Sequence, residues 1–156
     1  MSRRLHAELE VELAQLERLA SDAAPIVARA LRDDPPLVEV AALAAMLHAF
    51  YNGVENLLKR IELSVAGSSP DGETWHSQLL TGAACAGVNR GPIITPELVG
   101  RLKPFLSFRH VFRHAYTFDL NWARMRPLAA ELESVCSEFR SQIAAFKEAL
   151  ANDAGE

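Results

Sequence analysis

The sequence predicts an all-α protein, an antiparallel bundle of four main helices plus a short one. Three observations point that way. Apolar residues recur every three or four positions over long segments, proline and glycine mark the stretches between those segments, and no strand pattern is sustained along the chain.

The first segment, from about Leu5 to Leu31, carries Leu5, Leu9, Leu13, Leu16, Leu19, Ala20 and Ala23 between charged residues, the pattern of a long amphipathic helix. Asp33-Asp34-Pro35-Pro36 ends it, since proline lacks the donor a helix interior needs. The pattern resumes over Leu37 to Val65, through Val40, Leu43, Leu47, Phe50, Val54, Leu57, Leu58 and Ile61, so the two segments form an antiparallel hairpin. Gly67-Ser68-Ser69-Pro70-Asp71-Gly72 reads as a loop. A short helix follows around Thr74 to Ala84, with Thr74 as its N-cap and Trp75 and Leu79 facing inward. After a second loop with Gly87, Gly91 and Pro92, Thr95-Pro96-Glu97 supplies a cap, a first-turn proline and an early acid. The helix that starts there contains Pro104 early on and keeps an apolar face through Leu106, Phe108, Val111 and Phe112 as far as Ala115. The pattern weakens from Thr117 to Asn121. A last amphipathic helix runs from about Trp122 to Leu150, with Phe118 and Trp122 expected to anchor it.

With 156 residues, 49% apolar and 23% charged, the chain suits one domain over 1–156, ending in a polar tail from about 151. Cys85 and Cys136 stand in no metal-binding spacing and are expected to be reduced and inert. The N-terminal residues run from Arg3 and Arg4 into Glu8, Glu10, Glu12 and Glu17 rather than forming an apolar leader, and no run of about 18 consecutive apolar residues occurs, so a cytoplasmic location without a membrane span is expected. No cofactor is expected.

A net charge of -4 speaks against general nucleic-acid binding, where phosphate contacts dominate affinity. The charge is unevenly spread, however. Arg101, Lys103, Arg109, Arg113, Arg124 and Arg126, with His110 and His114, face only Asp119 in their part of the chain. Two arginines, two histidines and a tyrosine fall between Arg109 and Tyr116. On an ideal helix Arg109 and Tyr116 are nearly aligned, whereas Arg109 and His114 differ by roughly 140°. Joining all three requires the helix to end near His114 or a second copy of the chain to complete the site.

Plainer readings exist for each group. Arg109 and His114 would suit a solvated basic face, with His114 at the helix end. His110 and His114 have the spacing of a helical metal pair but lack a third ligand, so no metal is expected. Tyr116 would also serve as a core aromatic. Tyr51, Glu55 and Lys59, spaced i, i+4, i+8, read as a surface ion pair in preference to a polar stripe supporting a site. His48, Trp75 and His76 read as packing or surface residues.

The combination is more specific than its parts. An Arg, a polar residue, a short spacer and a His, present as Arg109, His110 and His114, resemble the signature of HEPN ribonucleases. The longer form, an Arg, four residues, a His, one residue and a Tyr, is similar to that of HepT toxins and spans Arg109 to Tyr116. The stretch Phe50 to Ile61 looks like the second-helix segment of HepT-like proteins. This resemblance implies a HEPN-like fold and a metal-independent endoribonuclease acting as a homodimer on RNA, with Arg109 and His114 catalytic and His110 and Arg113 supporting or binding substrate. It further implies an MNT-type nucleotidyltransferase antitoxin that adds AMP to Tyr116, with a higher hetero-oligomer as one form of that pairing. The alternative is a non-catalytic helical bundle that binds a partner or RNA through the basic helix.

Overall fold

The computed structural model describes residues 3–116 and 119–153. Five helices follow in order: α1 (Arg3–Arg32), α2 (Leu37–Val65), α3 (Trp75–Gly82), α4 (Pro96–His114) and α5 (Trp122–Asp153). The expected all-α bundle is therefore what forms. Among the described residues the one β feature is an isolated bridge between Gly87 and Arg90.

α2 is the central element, packing against all four other helices. By length and apolarity it is the one described helix sufficient to cross a bilayer. Its apolar side chains are taken up by the bundle instead: Leu43, Leu47, Phe50, Val54, Leu57, Leu58 and Ile61 are all buried in the common core. The α1–α2 approach is close because position 53 is glycine. A Cβ there would fall 2.5 Å from Leu16 Cδ2. The Cys136 thiol, donating to the Leu16 carbonyl at 3.5 Å, brings α5 against the same part of α1. Burial pushes that thiol up to about 11, so it packs as an inert group. Cys85 is free and exposed.

The start of α4 is held firmly. Thr95 caps it, its hydroxyl accepting from the Leu98 amide at 3.2 Å, and Gln142 of α5 takes the Thr95 amide hydrogen at 2.7 Å. The loop before it folds around Arg90, whose buried guanidinium pairs with Glu62 of α2 and donates to the carbonyls of Cys85 (2.7 Å) and Gly91 (2.9 Å). Asn89 takes the left-handed conformation (φ 58°) that lets this loop close. α4 continues through Pro104, and the carbonyl that loses its partner belongs to Gly100 on the exposed side, open to solvent.

Several local expectations change. Thr74 occupies the N-cap position of α3 without capping it; its hydroxyl accepts instead from Nε2 of the Gln78 side chain at 2.9 Å. Val111 lies 58% exposed, so the apolar face of α4 narrows toward its C-terminus. Trp122 packs partly against the core as expected, while Phe118 lies outside the described residues.

Candidate functional site

The site is built where α4 crosses α2. Phe50 and Phe105 meet edge to face, ring centroids 5.2 Å apart, and both are fully buried. One turn beyond Phe105, the same crossing delivers Arg109 onto the polar positions that follow Phe50.

Arg109 Nε donates to Asn52 Oδ1 at 2.7 Å, and its Nη2 lies 3.8 Å from Glu55 Oε1. Both side chains are largely enclosed, 14% exposed for Arg109 and 6% for Glu55. The other Glu55 oxygen, Oε2, is 2.7 Å from His76 Nδ1 of α3. A carboxylate accepts only, so His76 Nδ1 is the donor. The His76 ring stacks on Trp75 at 3.6 Å between centroids, and Lys59 Nζ sits 4.9 Å above the Trp75 ring. One carboxylate thus ties together the arginine of α4 and the histidine of α3.

Asn52 extends the network. With Oδ1 occupied by Arg109, its amide nitrogen faces His48 Nε2 at 3.0 Å and donates to it. His48 therefore holds its lone pair on Nε2 and its hydrogen on Nδ1, an atom buried with no partner among the described residues. Burial, then the positive charges of Arg109 and Arg113, hold His48 below its ordinary value of 6.5, with Glu55 pulling the other way. Burial and Glu55 likewise push the Tyr51 hydroxyl up, so Tyr51 stays protonated in the core beneath the site.

The His48 shift fixes a sign. The unfolded chain binds a proton near 6.5 while the folded chain resists it, so this contribution to stability is complete above that value and is lost as pH falls below it. The melting temperature should fall between about pH 7.5 and about pH 5.5. It should fall less in His48→Gln, which keeps an acceptor for Asn52 without a titrating ring; an equal fall in both proteins would count against this role.

The residues expected from the sequence separate into two groups. Arg109 is the enclosed one. His110, Arg113, His114 and Tyr116 are exposed around the free end of α4. α4 ends at His114, and Ala115 turns extended (φ -95°, ψ 144°), which is the helix ending that alignment of the three residues required. The His114 ring meets that of His110 edge on at 5.2 Å, while the hydrogen bond and ion pair of Arg109 run to α2. Tyr116 is 71% exposed, not a core aromatic, and its carbonyl accepts from the Asp119 amide at 2.9 Å. The basic run is also less uniform than the sequence suggests, since Arg101 is committed to Glu131, Ser134 and Glu138 of α5. Among the described residues no three His, Cys, Asp or Glu side chains group as metal ligands would.

Glu55 corrects the sequence reading most. It does not form a surface pair with Lys59 but lies buried between Arg109 and His76. His48 and His76 are likewise members of the network and not simple packing or surface residues. The available signal was the spacing of His48, Asn52 and Glu55 at i, i+4 and i+7, a polar stripe running among the apolar positions of α2.

Residues 42–150 match the family described as HepT-like protein. The chain belongs to the HepT-like family, within the HEPN superfamily. The matched region takes in nearly all of α2, α3, α4 and most of α5, hence every side chain of the network, and leaves α1 outside. No curated protein and no solved structure matches the chain. In this HepT-like chain the residues from Arg109 to Tyr116 and the stripe of α2 thus fall within one family region.

Proposed function

We propose that this HepT-like protein is a toxin that cleaves RNA without a metal, as a homodimer in the cytoplasm, and that a nucleotidyltransferase partner silences it by adding AMP to Tyr116. The observation that carries the reading is an arginine aimed by buried partners beside a helix end bearing exposed histidines, in a chain of this family.

In the reaction the ribose 2'-hydroxyl attacks the adjacent phosphorus, the bond to the 5'-oxygen breaks, and a 2',3'-cyclic phosphate and a 5'-hydroxyl result. Arg109 stays protonated and opposes the negative charge that builds on the phosphate. His114 exchanges one of the two protons, and exposed His110 and Arg113 bind flanking phosphates. A second copy of the chain, docked against the free end of α4, brings another such set into the same cleft. An AMP group on Tyr116, bulky and negative, would occupy the place of RNA phosphate near Arg109.

Purified protein should cleave RNA in EDTA, and His114→Ala should not. Incubation with ATP and the partner enzyme should raise the intact mass by AMP units, and Tyr116→Phe should block that rise. Equal cleavage by wild type and His114→Ala would sink the proposal. Exposure of Arg113, His114 and Tyr116 together also suits a surface that only docks a partner, and growth on expression separates the two. A nuclease arrests cells in a His114-dependent way; a docking module does not.

A further inference from the structure

Cleavage of RNA by its own 2'-hydroxyl moves two protons. One leaves the attacking oxygen and one reaches the departing 5'-oxygen, on opposite sides of the phosphorus. The histidines of the segment from Arg109 to Tyr116 are exposed near the free end of α4, whereas the Arg109 guanidinium is enclosed against α2. The network on the α2 side contains two histidines that this segment does not include, His48, whose Nε2 is taken up by Asn52, and His76.

We infer that His76 is a second catalytic residue of the site, the base that takes the proton of the 2'-hydroxyl, with Glu55 as its positioning residue. This rests on the ribonuclease reading above. Three features of the geometry support it. His76 Nδ1 donates to Glu55 Oε2 at 2.7 Å, so in the neutral ring the lone pair is on Nε2, the free atom. Stacking on Trp75 limits rotation of the ring, so Nε2 keeps its direction. The same carboxylate lies 3.8 Å from Arg109 Nη2, which places the histidine one carboxylate's width from the group expected to hold the phosphate. A buried acid that orients a histidine and stabilises the imidazolium once it has taken a proton is the arrangement hydrolases use to make imidazole a base. His76 retains 23% side-chain exposure, enough to meet a substrate, whereas Glu55 is closed to it.

The proton inventory then balances. His76 Nε2 accepts the 2'-hydroxyl proton as the oxygen bonds to phosphorus. His114, entering protonated, gives its proton to the 5'-oxygen as that bond breaks. Glu55 of α2 touches the His76 ring directly, Lys59 lies over the Trp75 ring that stacks on it, and Arg109 of α4 reaches it through Glu55.

The test uses the full-length protein and two RNA oligonucleotides, one ordinary and one with sulfur replacing the 5'-bridging oxygen at the linkage that wild type cuts. A thiolate leaves without being protonated, so the second substrate needs a base but no acid. His114→Ala should lose cleavage of the ordinary RNA and recover most of it on the sulfur substrate. His76→Gln should lose about 10²-fold or more on both substrates. On the sulfur substrate the wild-type rate should rise with pH and then level. The His76→Gln rate should continue to rise about tenfold per pH unit through the same range, as hydroxide replaces the missing base. Each rate is divided by the folded fraction read from circular dichroism at the same pH, so partial unfolding of the variant would not mimic this result. Wild-type rates in His76→Gln, or a profile that levels as wild type does, would overturn the assignment while leaving the ribonuclease reading intact, provided His114→Ala is inactive on RNA. A wild type that cleaves neither substrate would overturn both.

Discussion

Arg109→Ala should abolish RNA cleavage and also destabilise the fold, by about 2–3 kcal/mol, because it leaves the buried Glu55 carboxylate with one partner instead of two and the Asn52 carbonyl with none. For a chain of this length that corresponds to a melting temperature lower by roughly 6–10 °C. Both effects follow from the same enclosure. An arginine on a solvated helix face would cost almost nothing to remove, so the stability measurement alone separates the buried arrangement from the plain basic face. Arg109→Lys sharpens the distinction. It keeps a positive charge near Glu55 but cannot reproduce the planar fork that reaches Asn52 while presenting further donors to a phosphate. Most of the stability should return and cleavage should not. Loss of activity in Arg109→Ala with an unchanged melting curve would show that the network with α2 does not form.

Phe105→Ala should have the largest effect on stability of any single change in α4, about 3–5 kcal/mol, from lost burial and the cavity left against Phe50. Its importance for activity is indirect. Phe50 precedes Asn52 and Glu55 on α2, and Phe105 precedes Arg109 by one helical turn, so the ring contact sets the register in which the polar groups meet. Phe105→Leu should cost less than half as much and retain a measurable fraction of wild-type cleavage. Chemical denaturation of the three proteins checks the ordering, and equal midpoints for wild type and alanine variant would refute the register argument.

Much of this architecture could be read from residue order because the signals are local. Pro35-Pro36, the glycine-rich loop and the Thr95-Pro96-Glu97 start each act within a few residues, and α2 begins and ends at Leu37 and Val65, where periodicity places it. Thr74 fails as a cap for an equally local reason: its backbone (φ -105°, ψ 12°) is not the extended one that aims a capping hydroxyl at the first turn. The reactive segment of α4 was also visible as a dense run of unusual side chains. Its partners were not. Whether Glu55 pairs with Lys59 on the surface or with Arg109 in the interior depends on how α2 and α4 cross, and nothing within one helix of either residue decides that. His76 was harder still, since its meaning comes wholly from the carboxylate it touches, twenty-one positions back in the chain.

The bond between Asn52 and Arg109 joins residues 57 apart. During synthesis at about 5–20 residues per second, α2 therefore exists for several seconds before the arginine that completes its polar stripe has been made. For that interval Glu55 has no guanidinium to hold, and the emerging polypeptide carries half of a site. On the proposed ribonuclease reading, the chemistry therefore waits until α4 has been made and has packed on α2.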